Sequence, residues 1–182
     1  ADINTINADS ATGIVTATAT ETAAATLIGL TTTGTDAITV TMAAASTAAA
    51  DLNTIDGKTS VAVGATAITE LTGNATDVKT ALASSGITTV TNGSLAVNVN
   101  SGTASVADIN TINADSATGI VTATVTSAAA SVLKGLQTDS NDAITMTVNA
   151  EASSAATQAS DLVSLNGKTN QVITMTAVTK VS

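Results

Sequence analysis

The sequence predicts a β-rich repeat protein, a right-handed parallel solenoid of about seven coils of 24–31 residues with short helical segments. The first observation is a duplication, because residues 1–18 recur unchanged as residues 107–124. The second is the lack of any Phe, Tyr or Trp, which leaves small side chains that suit a narrow interior. The third is an apolar pattern that returns about every 24–26 residues.

The duplication defines a super-repeat of 106 residues, since Ala1 matches Ala107. We therefore expect residues 1–182 to form a single array, with one copy at 1–106 and a second, incomplete copy at 107–182. Because both ends fall inside the repeat pattern, we expect them to be covered in one of two ways. Either further repeats of the same polypeptide cover them, or other copies of the chain stack head to tail.

Each unit begins with an anchor of two apolar residues three positions apart, or four in one unit, which predicts a helical turn. Another apolar residue follows eight positions later. The anchors are Ile3/Ile6, Leu27/Leu30, Leu52/Ile55, Val78/Leu82, Ile109/Ile112, Leu133/Leu136 and Leu162/Leu165. The residues eight positions later are Ile14, Ile38, Val63, Val90, Ile120, Ile144 and Ile173.

Alternating, β-branched runs after the anchors predict strands. In one of them, Ile38, Val40 and Met42 are expected to face inward. The register of residues 13–20 and 119–126 stays open, because Ile14 and Val15 compete for the inward position. The predicted strands are Ala37–Met42, Ser60–Val63, Ala143–Val148 and Val172–Ala177, together with a β-hairpin that joins Ile87–Thr91 to Leu95–Val99.

Composition excludes several function classes. The chain has no Cys or His, so disulfides, thiolate metal sites and a conventional catalytic triad are impossible. Its net charge of −9 repels nucleic acid and anionic membranes, and no apolar run approaches the length of a membrane span. Two Gly-Lys-Thr triplets, at 57–59 and 167–169, lack the upstream glycine of a phosphate-binding loop. We therefore expect a protein that is not an enzyme.

The segments ADINTINA, AADLNTIDGKTSVAV, AITELTG and ATDVKTALASSGIT resemble the Thr/Ala-rich repeats of giant extracellular and cell-surface proteins of cyanobacteria and other marine bacteria. The similarity extends over nearly the whole chain. A phrase that joins Asp to the anchor occurs four times, at 1–7, 50–56, 107–113 and 160–166. The resemblance implies a secreted or surface protein built for length, and it implies no catalytic residues.

Two sets of acidic residues are candidate Ca²⁺ ligands. Asp36 and Asp142 precede predicted strands, where they resemble part of a calcium-roll motif but also suit an ordinary turn. A column of aspartates beside the anchors either binds Ca²⁺ or caps the helical turns, and we favour capping. The column comprises Asp2, Asp51, Asp77, Asp108 and Asp161, with Thr26 as a further cap. No cofactor is otherwise expected.

Threonine pairs on the strands form the basis of another hypothesis. Successive Thr-x-Thr rows on a flat face resemble the ice-binding faces of antifreeze proteins, although threonine also simply favours strands. The candidate residues are Thr39, Thr41, Thr145, Thr147, Thr174 and Thr176.

The function expected from the sequence is structural, as a repeat module of an extracellular adhesin, surface coat or self-assembling filament. The alternatives are an ice-binding protein that uses the threonine rows and a calcium-stabilised surface-layer or fibre module.

Overall fold

A computed structural model describes residues 2–89, 95–116, 118–152 and 155–182. These residues form seven short helices and twelve short strands. The helices are α1 (Asp2–Asp9), α2 (Ala24–Leu27), α3 (Ala49–Asp56), α4 (Ala75–Ala83), α5 (Val106–Ser116), α6 (Ala130–Leu133) and α7 (Ala159–Asn166). The strands are β1 (Thr16–Thr18), β2 (Ala37–Thr39), β3 (Ser46–Ala48), β4 (Val63–Gly64), β5 (Glu70–Asn74), β6 (Ile87–Thr88), β7 (Ala96–Ala104), β8 (Val121–Val125), β9 (Ala128–Ala129), β10 (Ala143–Thr145), β11 (Thr147–Asn149) and β12 (Thr174–Met175).

The strands pair in parallel and are divided among four sheets in the described part of the chain. The largest has five strands in the order β10-β8-β7-β5-β3, and a three-stranded sheet has the order β12-β11-β9. Two further sheets contain only β1-β2 and β4-β6. The prediction of a β-rich, right-handed parallel solenoid was therefore wrong. The chain is a mixed α/β protein whose helices contain more of the described residues than its strands.

The sheets are short because the predicted strands are interrupted. The run Ala143–Val148 was expected to form one strand, but it divides into β10 and β11, which belong to different sheets. Met146 lies at the break and is buried. Neighbouring strands are joined by hydrogen bonds along their edges. Where one strand breaks, its hydrogen bonds to the strands beside it end as well.

The anchors do lie on helices or directly after them, and most face the core. Leu52, Ile55, Ile109, Ile112 and Leu133 are fully buried. The aspartates beside the anchors are not helix caps, which corrects the sequence prediction. In α3, α4, α5 and α7 they occupy the third helical position, where a negative charge is favourable near the positive end of the helix dipole.

The open register is settled in favour of Val15 and Val121, which are buried, while Thr16 and Thr122 are exposed. Ile38, Val40 and Met42 face inward as predicted. Ile14 and Ile120, the alternatives in that open register, are 71% and 51% exposed.

The hairpin prediction was also wrong for its described residues. Strand β6 pairs with β4, whereas β7 pairs with β5 and β8 in a different sheet. Val90 and the predicted turn at 92–94 lie outside the described residues. Among the described helices, none is long and apolar enough to cross a membrane.

The two copies of the duplicated segment fold alike. Thr16 pairs with Ala37 in β1-β2, and Thr122 pairs with Ala143 in β8-β10, so both partners are displaced by the same super-repeat. The surroundings differ, because α4 and β7 pack against the second copy. As a result Ile112 is fully buried, whereas its counterpart Ile6 is 53% exposed.

This pair gives a direct test of burial. We expect Ile112→Ala to lower the free energy of unfolding by about 2–5 kcal/mol, because it removes three buried carbons and leaves a cavity. The matched change Ile6→Ala should cost about 1 kcal/mol or less. Chemical denaturation of both variants measures the difference, and equal losses would contradict the environments described for the two copies.

Candidate functional site

The contacts between neighbouring repeats are where the chain concentrates its buried polar groups. Asp36, which is 4% exposed, lies before β2 and binds the repeat on its N-terminal side. Its Oδ1 accepts a hydrogen bond from the backbone N–H of Val15 at 2.8 Å. Its Oδ2 accepts one from the backbone N–H of Thr33, also at 2.8 Å. One carboxylate thus fixes its own turn and ties it to the preceding strand.

Asp142 repeats this arrangement in the second copy and is 5% exposed. Its Oδ1 accepts from the backbone N–H of Val121 at 2.8 Å, and its Oδ2 accepts from that of Asp139 at 2.9 Å. Because two copies converge on the same geometry, the carboxylate belongs to the repeat itself rather than to one local turn.

The hydrogen bonds stabilise the charged form of Asp36. The backbone N–H groups of Val15 and Thr33 lower the pKa of this carboxyl, and they outweigh desolvation, which raises it. The carboxylate is therefore the form that the folded protein prefers.

The calcium hypothesis rested on these two aspartates. In the structure both oxygens of each carboxylate already accept backbone N–H groups, whose positive ends compete with a cation. The described residues include no group of three or more acidic side chains that could hold a metal ion. Calcium binding at Asp36 and Asp142 stays a prediction that this geometry does not favour.

Asparagine side chains form a second type of contact, across the helical side of adjacent repeats. Asn4 donates from Nδ2 to the carbonyl of Gly29 at 2.8 Å and accepts from the N–H of Thr31 at 2.9 Å. In the second copy Asn110 makes the equivalent bonds to Gly135 and Gln137, at 2.9 and 2.8 Å. Each amide satisfies one donor and one acceptor of the backbone in the next repeat.

Asn4 and Asn110 follow the first anchor residue, and this position contacts the next repeat in other units as well. We call it the linking position. Asn53 donates to the carbonyl of Asp77 at 3.0 Å. Lys134 forms an ion pair with Asp161 at 3.0 Å. At the linking position of α4, Lys79 forms an ion pair with Asp108 on α5.

Hydrogen bonds also lower the pKa of the Asp108 carboxyl. The hydrogen bond from Lys79 is the largest cause, and one from the Ser105 hydroxyl at 2.8 Å adds to it. Ser105 Oγ in turn accepts from the backbone N–H of Asp108, so this side chain caps the start of α5.

Two buried threonines were missed by the sequence analysis. The hydroxyl of Thr59 accepts from the backbone N–H of Ile38 at 2.9 Å and donates to its carbonyl at 2.7 Å. Thr169 makes the same two bonds to Ile144, at 2.9 and 2.8 Å. Both threonines end the Gly-Lys-Thr triplets, which the sequence analysis considered only as phosphate-binding loops, and the recurrence of that triplet was the available signal.

The candidate ice-binding threonines do not come together on one sheet. Thr39 lies on β2, Thr145 on β10 in the five-stranded sheet, and Thr147 and Thr174 pair in the three-stranded sheet. Thr41 forms an isolated bridge to Gly64, which interrupts the row beside it. Thr176 is exposed after β12. Among the described residues, threonines that align directly across neighbouring strands do so only in pairs, such as Thr18 with Thr39 and Thr124 with Thr145.

Comparisons with protein-family models, curated proteins and solved structures find no match for this chain. The resemblance to Thr/Ala-rich surface repeats therefore stays a prediction. The function has to be argued from the contacts themselves.

The Asp36 contact predicts a specific acid sensitivity. Its pKa is lower in the folded state than the value of about 3.9 expected for an unfolded chain, so its stabilisation is complete above that value. The stabilisation is lost as the pH falls through the folded pKa. We expect Asp36→Asn to lower the melting temperature at pH 7 and to flatten its decline below about pH 4.

Thermal melts between pH 7 and pH 2 measure this effect. Asp9→Asn, which changes an exposed acid on α1, is the matched control and should leave the pH profile nearly unchanged. Identical profiles for the Asp36 variant and the unchanged protein would refute the role assigned to this carboxylate.

The linking position gives a second prediction. We expect Asn110→Ala to lower the free energy of unfolding by about 1–3 kcal/mol, because it removes two hydrogen bonds to the next repeat. Faster hydrogen exchange at the amide of Gln137 should accompany the loss. Asn100→Ala, at an exposed residue of β7, serves as the control, and unchanged exchange at Gln137 would contradict the prediction.

Proposed function

We propose that this chain is a structural repeat module of an extracellular adhesin, surface coat or self-assembling filament, and that it is not an enzyme. The observation that carries the proposal is the recurrence of the same polar contacts in both copies of the super-repeat. Asp36, Asn4 and Thr59 each have a counterpart that makes the same bonds, at Asp142, Asn110 and Thr169.

The buried polar groups of the described chain are used within this framework. No buried side-chain nitrogen or oxygen there lacks a hydrogen-bond partner. A catalytic or ligand-binding group usually departs from such full satisfaction, because it must interact with something else. The polar chemistry of these repeats is directed at their neighbours, as a load-carrying or spacing element requires.

The chain is acidic, which disfavours nucleic acid as a partner. Fourteen acidic residues against five lysines produce a net charge of −9, which favours solubility. The lack of cysteine also leaves the fold independent of the redox state of its surroundings.

A structural role accounts for the threonines better than ice binding does. Ice-binding surfaces need a regular array, whereas these threonines are divided among three sheets and pair at most two across. We expect no thermal hysteresis from the purified chain, and Thr39→Leu should leave ice growth unaffected. Hysteresis that disappears in this variant would reverse the preference.

Electron microscopy of the purified chain at high concentration tests the assembly directly. Long filaments of constant width would indicate a subunit that assembles by itself, whereas discrete short particles would indicate a module of a larger protein.

Antibody labelling of the cells that make the protein tests its location. We expect labelling of intact cells or of their extracellular material. Signal that appears only after the cells are permeabilised would contradict the proposed function.

A further inference from the structure

The two copies of the duplicated segment differ in what covers one of their sides. Residues 1–18 and 107–124 are identical, yet α4 and β7 cover the second copy alone. Gly119 is buried and Ile112 is fully buried, whereas Gly13 is exposed and Ile6 is 53% exposed. Since the sequences are the same, the difference in burial comes from the neighbouring repeat. We call the uncovered side of residues 2–18 the open face.

The strand of the first copy matches its covered counterpart in register. On the other side of each copy, β1 pairs with β2 in the register with which β8 pairs with β10. The carboxylates of Asp36 and Asp142 accept the N–H groups of Val15 and Val121 at the same distance of 2.8 Å. A partner that pairs with β8 therefore has a strand held in the same way, β1, in the first copy.

In the second copy the covering segment includes β7, which pairs with the edge of β8. Strand β7 aligns Val97 with Val121, and the N–H of Val97 donates to the carbonyl of Ile120 at 2.9 Å. Further along, the N–H of Thr126 donates to the carbonyl of Ala104 at 2.8 Å. The matching groups are the carbonyl of Ile14 on the open face and the N–H of Thr20, two residues beyond it. In the described residues β1 pairs only with β2.

The partner also supplies a charge. Lys79 forms an ion pair with Asp108, which Ser105 also contacts. Asp2 is the residue of the open face that matches Asp108, and it is exposed. The ion pairs formed by the described lysines are those of Lys79 and Lys134, so Asp2 has no lysine partner among them.

The backbone of the covering segment approaches Gly119 of the second copy closely. A Cβ atom added to Gly119 would overlap the carbonyl oxygen of Leu95, a backbone atom that cannot move aside easily. A Cβ atom on Gly13 would meet only Ser10 of its own turn, at 3.3 Å. Neither glycine has a positive φ, so close packing explains Gly119 and nothing within the described chain demands Gly13.

The C-terminal repeat of a second copy is a poor occupant for this face. Its linking position is Val163, which is 74% exposed and has no donor to offer Asp2. The chain's own residues 75–104 are also unsuitable, because α5 and β8 already occupy them. The occupant that fits has a lysine at the linking position and a strand like β7. Its strand continues directly into the helix of the next repeat, as β7 continues through Ser105 into α5.

We propose that the open face of residues 2–18 is a docking surface for a further repeat of the 75–106 type. This inference rests on the proposed structural function and specifies which kind of repeat neighbours which. The charge at the linking position and the clearance at Gly13 then determine which type of repeat is the neighbour. A nonspecific attraction between repeat ends would not select one type.

Two extended chains of equal length test the proposal. One carries residues 75–106 before Ala1 of the full chain, and the control carries residues 151–182 there. With the first extension we expect a higher melting temperature and about tenfold slower hydrogen exchange at the amide of Thr20. The control extension should produce neither effect.

A matched pair of glycine variants separates docking from folding. Gly13→Ala should change the melting temperature of the unextended chain little, but it should abolish the protection of Thr20 in the chain extended with residues 75–106. Gly119→Ala should lower the melting temperature of both chains, because it disturbs the internal contact with Leu95. Asp2→Asn should reduce the protection of Thr20 without affecting the unextended chain.

Two results would overturn the proposal. One is equal protection of Thr20 by both extensions, which would mean that any repeat end suffices. The other is unchanged exchange at Thr20 in the chain extended with residues 75–106. Neither result would bear on the location of the protein, which the antibody labelling tests separately.

Discussion

The fold depends on satisfying the backbone at each boundary between repeats. Where a strand ends early, its N–H and C=O groups would be left unpaired in a dry interior, at a cost of about 1–3 kcal/mol each. Thr59 meets this requirement with one hydroxyl, which bonds both the N–H and the carbonyl of Ile38. The apolar core has no aromatic ring to offset such losses, so the boundaries decide whether adjacent repeats stay together.

The periodicity of the sequence predicted where helices and buried residues lie, but not how the strands divide into sheets. Ile38, Val40 and Met42 were identified correctly because alternation fixes which side of a strand faces the core. The breaks between sheets depend on side-chain contacts such as that of Thr59, which looks like any turn threonine in the sequence. Adjacent Ile14 and Val15 left the register ambiguous, and the N–H of Val15 decides it by bonding to Asp36.

The candidate site was found only in part, for a chemical reason. An aspartate before a strand suits both a cation and a backbone N–H, so Asp36 and Asp142 could be located from the sequence without their partners being known. The asparagines were overlooked because an amide near a helix start is common. Their importance appears only when Asn4 and Asn110 are seen to bond the next repeat in the same way.

The identity of residues 1–18 and 107–124 also makes the two segments competitors while the chain folds. Both have the residues that fit against α4 and β7, so the earlier segment is able to occupy a place meant for the later one. Helix α5, which contains the start of the later segment, follows β7 after a single residue, whereas the earlier segment must close a long loop. The later segment therefore has the higher effective concentration beside β7, which guides the chain to the native pairing. Lengthening the link at Ser105 would favour swapped dimers.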